Sequence, residues 1–364
     1  MRPQRVAVVS SRPQLVAEVS RLCAMAGQPV EVAEPGPEVA RACRSSALIV
    51  VDDDSVQAVE AATGPDRPDV VIVTDDADRV ETWQAAVRLG ASRVVTLPGG
   101  AAELLDLLAL VGEQPGSPGP LVGVIGGRGG AGASTLAVAL GWAFARRDAA
   151  VMLVDLDQSG GGLDLALGVE HVPGLRWPDL YDANGVVASL ALREQLPSLD
   201  GMTILSTGSR LRGRESPMHS LPDRRAVSSV IDAGRRGGGV VVADLPRGSA
   251  ESVDAVVAAC TVLLLVVPAE VRAVAAATSV GRRVQSLCAD VRTVVRLDQR
   301  CRLRERDVVN ALGFAHAATV RTESGVTAAI DRAQLPAWLR RARMGRTARS
   351  LAGVILTSGS GAAS

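Results

Sequence analysis

At 364 residues the chain is long enough for about two domains, each with its own core. Hydrophobic residues make up 47% and aromatics only 2%, so the cores are built from Val, Leu, Ala and Ile, a composition suited to buried parallel strands under Ala-rich helices. Charge balances at 39 basic against 39 acidic residues, which excludes the global basic excess of a non-specific nucleic-acid binder.

Residues 1–111 alternate strand and helix. Arg5–Val9 reads as a strand, and Pro13–Ala26 as a helix with Leu15, Val16, Val19, Leu22 and Cys23 at helical spacing. A short strand at Pro29–Val32 and a helix near Pro37–Ser45 lead to Ala47–Val51, a continuous apolar strand that runs into Asp52, Asp53 and Asp54. Val70–Val73 is a further strand, followed by a helix at Arg79–Leu89, a strand at Arg93–Thr96 and a closing helix at Ala101–Leu110. This order implies a parallel sheet with helical crossovers. It resembles a response-regulator receiver domain, of flavodoxin type. Asp52 matches the phosphoacceptor position, but Ser10 and Ser11 stand where the acidic pair belongs, and Leu97 replaces the lysine before the final proline. The resemblance therefore implies a degenerate receiver, used for packing or partner binding and not for phosphotransfer.

Residues 112–120, GEQPGSPGP, read as a Gly/Pro/Ser linker. Beyond it, the apolar strand Leu121–Ile125 enters a run of Gly126, Gly127, Arg128, Gly129, Gly130, Ala131, Gly132, Ala133, Ser134 and Thr135, and Leu136–Arg147 then reads as a helix. Strand, glycine-rich turn and helix make a phosphate cradle: glycines let backbone N–H groups converge on an anion, and the helix end adds its dipole. Gly127, Gly132 and Ser134 meet the P-loop pattern G-x-x-x-x-G-K-[ST], but its lysine position holds Ala133, and the chain contains no lysine at all. The next strand, Ala150–Val154, ends in Asp155-Leu156-Asp157, and a later buried strand, Gly239–Ala243, ends in Asp244. Carboxylates at strand ends beside a phosphate loop are the arrangement that holds Mg²⁺ in NTPases. Strands at Met202–Leu205, Thr261–Val267, Val291–Val295 and Ala318–Val320, with helices at Ala226–Ala233, Ser252–Ala259, Val271–Cys288 and Glu305–Leu312, continue the alternation. Residues 210–222 read as a polar loop.

Cys23, Cys43, Cys260, Cys288 and Cys301 lack CxxC spacing, and His171, His219 and His316 form no ligand pattern, which argues for free thiols and against a zinc site. No apolar run reaches membrane-spanning length, and the N-terminus lacks a signal-peptide pattern, so the expected location is the cytoplasm. From Leu339 the chain is basic and amphipathic, and two readings stand: a closing helix with a solvated arginine face, which is favoured, or a peripheral membrane contact. Residues 357–364 read as a disordered tail.

The stretch 121–356 resembles the MinD/ParA superfamily of deviant Walker A ATPases, whose loop reads K-G-G-x-G-K-[ST]-[ST]. Arg128 to Thr135 fits six of these eight places. VDLD (Val154 to Asp157), VVVADLP (Val240 to Pro246) and VLLLVVPAE (Val262 to Glu270) also fit. With a receiver-like domain in front, the chain resembles the CpaE/TadZ group, and most of all its actinobacterial septum site-determining relatives. The resemblance implies a mostly parallel P-loop NTPase sheet with helices on both faces, and ATP and Mg²⁺ as cofactors. Residues Gly127, Arg128, Gly129, Gly130, Ala131, Gly132, Ala133, Ser134 and Thr135 would cradle the nucleotide. Ser134 would ligate Mg²⁺ and Asp244 would hold it through water. Thr135 would contact the α-phosphate, Asp157 would position the attacking water, and Asp155 would lie near the metal. Arg128 takes the place of the family lysine that reaches across a homodimer, and Arg296 falls where the family has an adenine-contacting asparagine. The implied role is spatial regulation of septum placement, at the membrane, pole or septum, with division proteins as partners. The alternatives are localisation of pilus-assembly or secretion machinery, a DNA-partitioning ATPase, and an inert adaptor. Specific nucleic-acid binding is not expected. Loss of the lysine removes charge-assisted contacts of about 1.5–3 kcal/mol each, which implies weak binding and slow hydrolysis.

Overall fold

The computed structural model describes residues 5–63, 69–76, 79–111, 118–158, 160–181, 187, 189–208, 221–298 and 303–360. The chain divides into two compact units, Met1–Gln114 with Gly185–Ala191, and Pro115–Asn184 with Leu192–Ser364.

In the first unit the elements are β1 (Val6–Val9), α1 (Pro13–Met25), β2 (Val30–Ala33), α2 (Val39–Ser45), β3 (Leu48–Asp52), α3 (Val56–Ala62), β4 (Asp69–Thr74), α4 (Val80–Leu89), β5 (Arg93–Thr96) and α5 (Ala101–Ala109). The strands pair in parallel in the order β2-β1-β3-β4-β5. Because strand side chains alternate faces, the apolar runs divide themselves between two cores. Ala7, Val9, Ile49, Val51 and Ile72 face one layer of helices; Val6, Val8, Val50, Val71 and Val73 face the other. The helix α3 is absent from the sequence reading, which follows β3 directly with its acidic run.

The second unit begins with β6 (Leu121–Gly126), α6 (Ala133–Ala145), β7 (Val151–Asp155) and α7 (Leu163–Leu167). It continues through α8 (Ser189–Gln195), which belongs to this unit from Leu192 on, β8 (Ser198–Leu199), β9 (Met202–Leu205), α9 (Arg224–Arg235), β10 (Val240–Leu245), α10 (Glu251–Ala259), β11 (Val262–Pro268) and α11 (Val271–Gln285). Last come β12 (Val291–Leu297), α12 (Glu305–Leu312), β13 (Ala315–Arg321), α13 (Val326–Asp331), α14 (Leu335–Leu339) and α15 (Arg343–Ser360). Among the described residues the sheet order is β13-β12-β11-β6-β10-β7-β9-β8, parallel except for the β8–β9 pair at one edge. Strands β6, β10 and β11 are buried along their whole length, as a sheet covered by helices on both faces requires.

Helix α6 is buried from Leu136 to Phe144, because it lies between the sheet and α15. It begins at Ala133, three residues before the apolar pattern starts, so Ser134 and Thr135 form its first turn. On α15, Ala348, Leu351, Ala352 and Ile355 enter the same core. The basic C-terminal segment is therefore the closing helix of this unit, with its apolar face already covered. It runs to Ser360, and residues 361–364 of the expected tail lie outside the described ones. No helix among the described residues is long and apolar enough to cross a membrane. Trp142, 1% exposed, carries the guanidinium groups of Arg146 and Arg349 at 5.7 and 5.5 Å from its ring centroid, a cation–π arrangement.

Trp142→Ala is expected to lower stability by about 3–5 kcal/mol, and Arg349→Ala by about 0.5–1 kcal/mol. Urea unfolding measures both. A tryptophan effect no larger than the arginine effect would contradict the packing of α15 on α6.

Candidate functional site

The glycine run forms the turn between β6 and α6. Gly132 is the N-cap of α6 at φ +95°, in the left-handed region that L side chains rarely adopt. Gly127 is demanded by proximity: a Cβ there would stand 2.6 Å from Ala277 Cβ of α11. Its amide donates to the Val266 carbonyl at 2.9 Å. That bond and the close packing on α11 anchor the loop at Gly127. Ala131, also expected in the cradle, is 2% exposed, and its amide donates to the Arg128 carbonyl at 3.3 Å. The amides of Ala133, Ser134 and Thr135 have no intrahelical acceptor, since they open the helix.

Two carboxylates lie at the carboxyl ends of neighbouring strands. Asp244 of β10 pairs in register with Asp155 of β7, and both are nearly fully buried. Asp155 accepts from the amides of Asp157 at 3.0 Å and Leu163 at 2.9 Å. Burial nevertheless pushes its carboxyl up to about 7. Asp244 is likewise pushed up to about 7 by burial, against the lowering effect of a hydrogen bond from Ser134. That bond joins the first turn of α6 to the end of β10. Asp157 is half-buried beside them. Among the described residues no three His, Cys, Asp or Glu side chains form a metal cage. Mg²⁺ does not need one: it keeps waters and takes phosphate oxygens with one or two protein groups. The Ser134 hydroxyl, backed by Asp244 and Asp155, fits that donor set.

The expected residues Ser134, Asp155, Asp157 and Asp244 are thus brought together. Within the single chain Arg128 is held by its own neighbours. Its Nη2 donates to Glu270 Oε1 and Oε2 at 2.8 and 2.9 Å, and its Nη1 donates to the Gly129 carbonyl at 3.0 Å. Its charge is engaged within its own chain. Other participants were not evident in the sequence. Trp177 donates its indole N–H to the Asp155 carbonyl at 2.7 Å. Buried Arg176 donates to the carbonyls of Val169, Val172, Gly174 and Leu175, and its Nε lies 3.6 Å from Asp164. The Trp177 partner lies 22 residues away and those of Arg176 are nearby backbone carbonyls, so neither leaves a side-chain spacing signature. Arginine next to a tryptophan was the one local signal, since both have donors that burial obliges to find acceptors.

In the first unit, Asp52 is fully buried and accepts hydrogen bonds from the Ser10 hydroxyl and, at 2.7 Å, from the Ser55 amide. Arg12 spans the acidic cluster: Nε lies 3.3 Å from Asp52, Nη2 2.9 Å from Asp53 and Nη1 3.3 Å from Asp75. Arg79 adds contacts to Asp53 at 2.8 Å and Asp54 at 3.3 Å. Two guanidinium groups therefore neutralise the carboxylates gathered at the ends of β3 and β4, Asp52 among them.

A cradle at the end of a buried central strand, backed by carboxylates on adjacent strand ends, defines the second unit as a P-loop ATPase fold of the MinD/ParA class. Residues 120–312 match the family described as cellulose biosynthesis protein BcsQ, and residues 8–119 match that described as Rv3660c-like, CheY-like N-terminal domain. The chain belongs to this family, joining a CheY-like domain to a BcsQ-type domain. It is 36% identical over 353 residues to the uncharacterized protein Rv3660c of Mycobacterium tuberculosis (strain H37Rv), covering 96% of this chain and 97% of the relative. The fold is similar to that of the cell division protein MinD of Aquifex aeolicus (TM-score 0.52, 18% identity, 65% of this chain and 97% of that one). It is similar also to the cell division ATPase MinD of Pyrococcus furiosus (0.53, 19%, 65% and 98%). The ParA family ATPase of Chlorobium tepidum gives 0.55 at 13% identity, over 65% of this chain and 98% of that one.

The two raised carboxyls set a pH dependence. A carboxyl near 7 in the fold and 3.8 outside it means that the folded state holds protons the unfolded state has released. Stability therefore falls as pH rises from about 4 to about 7. Thermal melts across this range are expected to show the fall, and Asp155→Asn or Asp244→Asn to flatten it. For the first unit, incubation of the full chain with acetyl phosphate and Mg²⁺ is expected to leave Asp52 unmodified. Stoichiometric acid-labile phosphate on Asp52 would contradict its occlusion by Ser10 and Arg12.

Proposed function

We propose that the chain is a nucleotide-responsive spatial regulator acting in septum-site placement. The observation that supports this best is the Ser134–Asp244–Asp155 array at the mouth of the glycine loop: a hydroxyl, an open helix end and two buried carboxylates suited to Mg²⁺ and a polyphosphate. In this reading Ser134 ligates the ion, Asp244 and Asp155 hold its waters, Thr135 contacts the α-phosphate and Asp157 orients the attacking water. Gly129, Gly130 and Gly132 let the backbone approach the anion closely. Fold relatives described as cell division proteins, one of them solved as a MinC:MinD complex from Aquifex aeolicus, support a division role and protein partners. Ala133 removes the ammonium that would stabilise charge developing in the transition state. ATP binding is therefore weak, turnover is slow, and the fold serves chiefly as a positioning device.

A homodimer is part of the proposal. An isologous pairing across the glycine loops would bring the two Arg128 side chains together, and the pairing of each with Glu270 reduces their mutual repulsion. The second reading, an adaptor without nucleotide chemistry, is favoured by Ala133 and by the arginine-filled acidic cluster of the first unit.

Calorimetry with Mg-ATP, phosphate release and sedimentation separate the two readings. Weak binding with slow turnover is expected, and Ala133→Lys is expected to tighten binding ~10-fold or more. Sedimentation is expected to show a dimer favoured by Mg-ATP. A chain that neither binds ATP nor gains from Ala133→Lys would favour the adaptor.

A further inference from the structure

Strand register carries one more cation to the loop. Gly126, the last residue of β6, is level with Val266 of β11, and Pro268 of β11 is level with Arg296 of β12. Arg296 thus stands two residues beyond the end of β6, at the height of the glycine turn. Its backbone lies two strands away, about 10 Å at ordinary strand spacing, which an arginine side chain can largely bridge. The side chain does so: Nη1 donates to the Gly130 carbonyl at 2.8 Å. A Cβ built on Gly132 would lie 3.5 Å from Nη1 and 3.8 Å from Cδ. The guanidinium therefore lies over the segment Gly130–Gly132, immediately before the position where the lysine is missing.

Among the described residues no carboxylate is found paired with Arg296. Arg128 is paired with Glu270, whereas the only acceptor found for Arg296 among the described residues is an uncharged carbonyl. Its Nε is buried without a hydrogen-bond partner. Arg247, the third arginine at the loop, approaches Gly129 but is exposed, where solvent and salt screen its charge. A half-buried guanidinium held only by a carbonyl is poised to exchange that acceptor for a stronger, anionic one.

We propose that Arg296, reaching from β12, supplies the phosphate-binding cation that Ala133 cannot. This rests on the reading of the loop as a nucleotide site and adds to it the group that neutralises the polyphosphate. Guanidinium offers a planar fork of donors to phosphate oxygens where lysine would offer one point charge. Arg296 would hold the anion at the open side of the loop, opposite the Ser134–Asp244 side where the metal ion would sit. This arrangement favours binding over the close, moving contact that lysine makes with a transferring phosphoryl group.

The test measures calorimetric affinities of the full chain for Mg-ATP and for inorganic tripolyphosphate, which has no base or ribose. Arg296→Ala is expected to weaken both by about 10-fold or more, and Arg296→Lys to retain part of each. Ala133→Lys is expected to tighten binding more in the Arg296→Ala background than in the parent, because the two cations would serve one anion. Circular dichroism melts confirm that the variants fold. If Arg296→Ala binds tripolyphosphate as the parent does, the proposal fails, and a loss confined to ATP would assign Arg296 to the base or ribose instead. Equal gains from Ala133→Lys in both backgrounds would also overturn it. A parent chain that binds neither ligand would overturn the nucleotide reading as well.

Discussion

The parallel pairing of β10 with β6 on one side and β7 on the other is the constraint on which the candidate site depends. Parallel strands end on the same side of a sheet, and ligands of such folds gather at those carboxyl ends. The register places Asp244 beside Asp155, and the turn after β6 brings Ser134 back to Asp244. Slippage by one residue would turn Asp244 to the opposite face of the sheet, and the hydroxyl would lose its acceptor. All three strands are buried along their length, so such a slip would also drive Asp244 into an apolar layer.

The two buried carboxylates are costly in isolation, because burial disfavours their charged form. Their raised proton affinities express that cost. Backbone amides relieve Asp155 only in part, and the Ser134 hydroxyl does the same for Asp244. A divalent cation at the mouth of the loop would relieve both. The packing of α6 under α15 holds the first turn of α6 beside them.

Arginine takes over cationic roles throughout this lysine-free chain, and the consequences differ by site. Around Asp52 two arginines meet carboxylates directly, which closes the acidic cluster. At the glycine loop one arginine is tied to Glu270 and another rests on a carbonyl. The same residue type thus closes one site and leaves charge available at another. The difference lies in which partner stands within reach of the fork.

The alternation of strands and helices, the glycine loop after β6 and the aspartates at the ends of β7 and β10 were legible in the sequence, because each depends on neighbours within a few residues. Apolar runs report burial, glycine reports left-handed backbone, and a carboxylate after an apolar run reports a strand end. The helix α3, the start of α6 at Ala133 and the extension of α15 to Ser360 were not, since Ala-rich and small polar stretches take their state from what they pack against. The tertiary structure alone decided the charges around the loop. Glu270 lies 142 residues from Arg128, and Gly130 lies 166 residues from Arg296. Pairings at such separations are set by sheet order and register, which no local pattern records.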